Sequence, residues 1–423
     1  MDPALIAMLC VLAACLLLSM RIGVAFGLAA LSAIIVGDVP VMLFIQKYFN
    51  TFESYPLMAI PFFLFAGEIM ARGSLAGVLL NFSNSLVGHI RGGLAHVSVL
   101  TCMFFGALCG SAPPTMAAVG GIMIPAMEKQ GYPKAFAGAV NAAGGALGPI
   151  IPPSVAAIMY GASAGCSISD LFIACIPSGI IIAFFYMVVS YVICRRGNYG
   201  TIAPRASMAQ RLRALWEAKW AIMVPVIVLG GIYGGITTPT EAGVVAVVYS
   251  LFVEIFITRQ MSWPLFKKIA VAAARNTGII MIIIAGANAI GQMMLFFGAD
   301  QLVLDLFTGI TANRWVILGM FVALFFLLGC FMEGGAVILI LTPLLMPVIA
   351  QYGINPIHFG VIFISTIVSG VITPPVGINL YLACSMSGAP FMEVCRAIFP
   401  FTLCMLAQSL VIAFVEPIYR ILL

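Results

Sequence analysis

The chain has 423 residues, of which 63% are hydrophobic and only 8% charged, with a formal net charge of +5. So little polar surface cannot coat a soluble globule of this length, and apolar runs of spanning length recur from Pro3 to Leu423, so the composition marks a polytopic all-α membrane protein. The runs are apolar on every face, which excludes the short alternating segments of a β-barrel, and the positive charge sits mostly in loops, where it reports orientation rather than a nucleic-acid partner.

Met1-Asp2-Pro3 offers no basic leader and no small-residue cleavage site follows the first run, so that run reads as a permanent span. Lys47 leads into a polar stretch and reads either as an anion-attracting group or as a side chain snorkelling to the interface. Asn50 to Pro56 and the stretch 73–91 are less apolar and read as amphipathic helices lying along the membrane surface. Glu68, four residues before Arg72, reads as half of a local helical ion pair. Segment 92–125 begins after Arg72 and Arg91 and ends before Lys129 and Lys134, so both its ends lie on one side. It is long enough for two half-spans, with GSAPP (110–114) between them, and reads as a re-entrant hairpin. A span over 135–163 is broken at Pro152-Pro153, and the span 171–194 leads into the most polar stretch, Arg195 to Lys219, which the positive-inside rule places in the cytoplasm. Residues 206–219 read as a basic linker near the middle of the chain.

Spans over 220–236 and 242–258 follow, with Glu241 capping the second beside the Thr237-Thr238-Pro239 turn. They return the chain to Arg259, Lys267, Lys268 and Arg275, on the same side as the first basic stretch. A span over 276–298 leads outward, and 299–313 reads as another surface helix. Segment 314–349 then enters and leaves from outside around a kink at GCFMEGG (329–335), and a second broken helix, 357–386, contains Pro374-Pro375. Pro152 and Pro374 are 222 residues apart, and FFGALCGSAPPTMAAVGGIMIPAM from Phe104 lines up with FFLLGCFMEGGAVILILTPLLMPV from Phe325 at nearly the same offset. The chain thus reads as two inverted repeats, 1–205 and 220–423, each with a hairpin and a broken helix, which is the signature of a secondary transporter.

Unpaired backbone in hydrocarbon costs several kcal/mol, so broken helices survive only inside protein or beside water. Adjacent prolines free upstream carbonyls, which are hard oxygen ligands for an alkali cation, and expose helix N-termini, which favour an anion. Two cation sites are therefore expected. The first draws on Gly110, Ser111, Gly148, Ile151 and Pro153; the second draws on Gly329, Glu333, Gly370, Thr373 and Val376. A substrate anion is expected between the two tips, with Ser111, Thr115, Asn141 and Asn379 as candidate contacts, although interhelical hydrogen bonding explains each of these equally well. His89, His96 and His358 show no metal-ligand spacing, and the eleven cysteines form no CxxC pair, so neither a transition-metal site nor a structural disulfide is expected. No catalytic motif such as HExxH or a nucleotide-binding loop is present, so an enzyme is not expected; nor is a channel, since no ring-forming filter appears.

With hairpins and double prolines in place, the chain resembles the large membrane subunit of the tripartite ATP-independent periplasmic (TRAP) transporters. The resemblance is carried by AIPFFLFAGEIMARG (59–73), GSAPPTMAAVGGIMIPAM (110–127), GALGPIIPPSVAAIMYG (145–161), TPTEAGVVAVVYSL (238–251) and GVITPPVGINLY (370–381), collinear over essentially the whole chain. It implies an elevator-type symporter in the bacterial cytoplasmic membrane, with sodium ions for coupling and no other cofactor. Its substrate would be a small organic carboxylate (a C4-dicarboxylate, sialic acid or another sugar acid) delivered by a soluble periplasmic binding protein. The hairpins and broken helices would move against a scaffold of the other spans, supported by a small four-span subunit expected as a separate polypeptide. The sodium sites implied map onto the positions named above. Two features depart from the family pattern: the first tip carries two prolines where small or polar residues are usual, and the second carries Glu333 where aspartate is more usual. The alternative is a stand-alone sodium- or proton-coupled carboxylate carrier that needs no binding protein.

Overall fold

The computed structural model describes residues 2–18, 20–73, 75–200 and 204–415, and these fold into helices and turns without a strand. The first half holds α1 (Pro3–Leu17), α2 (Ile22–Val36), α3 (Val41–Asn50), α4 (Ala59–Arg72), α5 (Leu75–Val87), α6 (Gly93–Cys109), α7 (Ala112–Lys129), α8 (Lys134–Gly145), α9 (Val155–Ala164) and α10 (Ile168–Gly197). The second holds α11 (Met208–Tyr233), α12 (Pro239–Phe252), α13 (Trp263–Phe296), α14 (Ala299–Ile310), α15 (Arg314–Phe331), α16 (Gly334–Gln351), α17 (Pro356–Ile367), α18 (Ile378–Ser387) and α19 (Phe391–Phe414). Among the described residues seven helices, counting α12 with the π-helical turn that extends it, are long and apolar enough to cross a membrane, and α4 with α5 adds an eighth if the bent pair is one span.

The helix starts follow from local chemistry. Ser207 and Gln210 form a reciprocal capping box at α11, as do Thr238 and Glu241 at α12, so Glu241 is the cap its position suggested. Ser262 and Asn355 accept first-turn N–H groups at α13 and α17. The Ser207 cap also changes the reading of the basic stretch: from Met208 onward, 206–219 is not a connection but the first turns of the 26-residue α11. Likewise the polar residues after Asn50 are turns, and the short helix in that region lies before them, as α3. The stretches 73–91 and 299–313 do contain helices, α5 and α14.

The order of helix, tip, helix and then helix, break, helix occurs twice, as α6–α9 and as α15–α18. These elements pack together at the centre: α8 lies against α6, α7, α18 and α19, while α9 packs on α16 and α17. The 34-residue α13 runs alongside, in contact with α2, α3, α4 and α16. Few polar contacts bridge the helices, and each is specific. Glu68, 8% exposed, accepts from Arg72 Nε at 2.9 Å and from Asn276 Nδ2 on α13 at 3.1 Å. Ser178 of α10 meets Ser365 of α17 at 2.7 Å and accepts from Gln408 Nε2 of α19 at 2.7 Å.

Candidate substrate and cation site

Each hairpin tip is held against the break of the neighbouring helix by close glycine contacts. At the first tip Gly110 ends α6 with φ of +62°, a left-handed conformation that suits glycine, and its carbonyl accepts from the Val155 N–H at 3.4 Å. Gly148 lies so near this tip that an added Cβ would stand 2.5 Å from the Ser111 carbonyl oxygen and 2.8 Å from Thr115 Oγ1. At the second tip the Cys330 carbonyl accepts from the Val376 N–H at 3.3 Å, and a Cβ on Gly370 would stand 1.9 Å from the Gly329 oxygen. A tip carbonyl thus meets an amide just past the double proline in both halves. Pro152–Pro153 and Pro374–Pro375 are both cis.

The breaks leave oxygen atoms free. Among the described residues the carbonyls of Gly148, Ile151 and Pro153 accept no backbone hydrogen bond, nor do those of Gly329 and Val376. Gly370 and Thr373 differ: their carbonyls accept from the Thr373 and Gly377 N–H groups at 3.3 and 3.1 Å, and Thr373 Oγ1 donates to Ser369 O at 2.7 Å. Burial differs too. Pro152 and Pro153 are buried, whereas Pro374, Pro375 and Val376 are exposed.

A cavity of about 380 Å³ lies between the two tips, lined by Gly110 and Ser111 from one and Glu333 and Gly334 from the other, with Val155 and Val376 from beyond the breaks. Most of the remaining wall is aliphatic, including Ile280 and Ile283 of α13. Glu333 is the one ionisable side chain lining it. Its Oε2 accepts from the Ala336 N–H at 2.9 Å, so the carboxylate caps α16 at the positive end of the helix dipole. The two prolines of the first tip have a simple reason. Pro113 and Pro114 fall in the first turn of α7, where the N–H groups they lack would have no intrahelical partner. Ser111 makes no side-chain cap bond there, which leaves its hydroxyl available to a ligand.

Of the polar residues expected near substrate, the cavity wall includes Ser111. Thr115, Asn141 and Asn379 are fully buried behind the tip. Thr115 Oγ1 donates to Ser111 O at 2.7 Å, Asn141 Nδ2 to Ala137 O at 2.8 Å, and Asn379 Nδ2 to Ala142 O at 3.1 Å, tying α18 to α8. The side-chain oxygens of both asparagines have no partner among the described residues. The sequence reading missed the share of the wall contributed by α13 and Met159. Ile280, Ile283 and Met159 are ordinary apolar residues in a chain full of them, and nothing local distinguishes them.

The family model described as "Tripartite ATP-independent periplasmic transporter, DctM component" matches residues 9–418. The chain belongs to this family. It is a transporter permease component, not an enzyme. It is 39% identical to the C4-dicarboxylate TRAP transporter large permease DctM of Pseudomonas aeruginosa, over 88% of this chain and 87% of that protein. It is 34% identical to the sialic acid TRAP transporter large permease SiaM of Vibrio cholerae, over 84% of this chain and 83% of that protein. It is also 40% identical to the isethionate TRAP transporter permease DctMQ of Oleidesulfovibrio alaskensis, matching 95% of this chain but spanning only 64% of that protein's length. The fold resembles that of the YdaH transporter of Alcanivorax borkumensis, with a TM-score of 0.66 at 16% identity, over 89% of this chain and 88% of that one.

Proposed function

We propose that this TRAP large permease is a sodium-coupled symporter in the bacterial inner membrane that imports a small organic acid, a C4-dicarboxylate, sialic acid or another sugar acid. A periplasmic binding protein delivers the acid, and a small four-span membrane subunit supports the permease. The observation that carries this reading is the cavity lined by both tips, with Glu333 as its one ionisable lining group and carbonyls that accept no backbone hydrogen bond at both breaks. Free carbonyls suit an alkali cation. An anion entering beside Glu333 meets a like charge, and a sodium ion at the second site removes that obstacle. Sodium therefore binds first and the organic acid second, which couples the two. The two repeats, 1–205 and 220–423, contribute a hairpin and a broken helix each to a core that slides as an elevator against the remaining helices.

The test is thermal unfolding of the purified permease with its small subunit, titrated with sodium against potassium and choline. A cation that binds only the folded state raises stability as RT ln(1 + [L]/Kd), about 2.7 kcal/mol at a hundredfold excess over Kd. A saturable sodium-selective rise is expected, with Glu333→Gln moving its midpoint roughly tenfold to higher sodium. Equal responses to all three salts would overturn sodium coupling. Uptake by proteoliposomes without the binding protein would overturn dependence on it and favour the stand-alone carrier.

A further inference from the structure

A second cavity of about 350 Å³ lies beyond the first along the same helices. The central cavity takes Met159 from α9, Ile283 from α13 and Ile338 from α16; the second takes Ser163, Asn288 and Leu339 from the same three. Asn288 follows Ile283 by five residues, so at 1.5 Å per residue the two cavities are about 8 Å apart along α13. Between them stands an apolar partition. Met159, Ile284, Ala287, Ile338 and Leu339 are all buried, and Met159 Sδ lies 2.9 Å from where a Cβ on Gly335 would be.

The second cavity differs in chemistry. Lys47 lines it together with Asn50, Ser54, Ser163 and Gln292, and no carboxylate does. Unlike Asn288, whose Nδ2 donates to Thr51 Oγ1 at 3.2 Å, none of these five side chains has a hydrogen bond or ion pair within the described residues. A cation surrounded by uncommitted amide and hydroxyl donors, with no acid in the wall, fits a small oxyanion. We infer that this cavity is a vestibule for a carboxylate or sulfonate, placed one partition away from the central cavity, with Lys47 as the group that selects charge. The inference rests on the transport reading for the identity of its ligand, and adds to it a second station on the path. The partition of Met159, Ile338 and Leu339 is then the barrier that the ligand must pass.

The test places a reporter thiol in the vestibule with Ser163→Cys, in the complete complex, with the parent protein as the blank for native thiols. Modification rates are compared for an anionic 2-sulfonatoethyl and a cationic 2-trimethylammonioethyl methanethiosulfonate. With Lys47 present the ratio of anionic to cationic rate should exceed that in Lys47→Gln by roughly tenfold. Succinate or ethanesulfonate, but not chloride at matched ionic strength, should protect the thiol only when Lys47 is present. A ratio unchanged by Lys47→Gln, or equal protection in both backgrounds, overturns the vestibule. Sodium-driven uptake is measured on the same preparations. Charge selectivity without any such uptake overturns the transport reading while leaving the vestibule standing.

Discussion

Two glycines hold the tips against the breaks, and each has a measurable consequence. An added methyl at Gly370 would stand 1.9 Å from the Gly329 oxygen, and the atoms it meets are all backbone of Gly329, which cannot swing aside as a side chain would. Gly370→Ala should therefore lever the second tip away from its break, cost about 1–3 kcal/mol, and flatten the sodium response of the melting curve. Gly77→Ala on α5, where an added Cβ meets nothing within 4 Å, serves as the control and should be neutral or stabilising by up to about 1 kcal/mol. Thermal unfolding in sodium and in choline checks both. The sequence made Gly148 and Gly370 candidates because Gly/Pro runs recur in matching surroundings, but it could not say that each makes room for a facing carbonyl. The same limit applies to Thr115, Asn141 and Asn379. A polar residue near a break has the same sequence signal whether it lines a cavity or is spent inside the protein: Asn379 ties α18 to α8, while Thr115 and Asn141 bond carbonyls four residues back on their own helices.

Helices meet through apolar surface at most places, so the few buried polar junctions stand out as levers. Ser178 satisfies both Ser365 and the Gln408 amide, while Gln408 Oε1 has no partner among the described residues. Ser178→Ala leaves an N–H and a hydroxyl stranded between α10, α17 and α19, and should destabilise by about 1–3 kcal/mol. Adding Gln408→Leu removes one stranded group and should recover part of that loss, a coupling that a double-mutant cycle of unfolding in detergent would register. Hairpins and broken helices were legible because proline and glycine change the backbone wherever they fall. Helix ends were legible only where cap chemistry was read with the charge pattern. The run 206–219 looked like a linker from its arginines, yet Ser207 and Gln210 already spell a capping box, and arginine, lysine and glutamate are good helix formers. The length of α13 was hidden for a similar reason: Lys267, Lys268 and Arg275 read as a loop patch but belong to one continuous helix.

The broken-helix segments α8 and α18 come from opposite halves of the chain and pack directly on one another. A Cβ on Gly138 would lie 3.4 Å from the Ala383 Cβ, close to disulfide geometry. If the core moves as one body, a Gly138→Cys/Ala383→Cys crosslink should leave uptake within about twofold of the reduced protein; loss of uptake on oxidation, regained on reduction, would mean the repeats move against each other. The unequal burial of the two breaks has a wider consequence. Pro152–Pro153 and Pro374–Pro375 are chemical twins, yet one pair is sealed and the other is open. Two equivalent devices in unequal surroundings define a hand on a dial: this arrangement is one reading, and under the proposed alternating transport the opposite reading is obtained by trading places. A thiol at Val376 should now react with a bulky maleimide and one at Val155 should not, and conditions that drive turnover should bring the two rates together. On the proposed elevator reading, the symmetry of the sequence supplies the second position of the dial without a second structure: each half then displays what the other becomes.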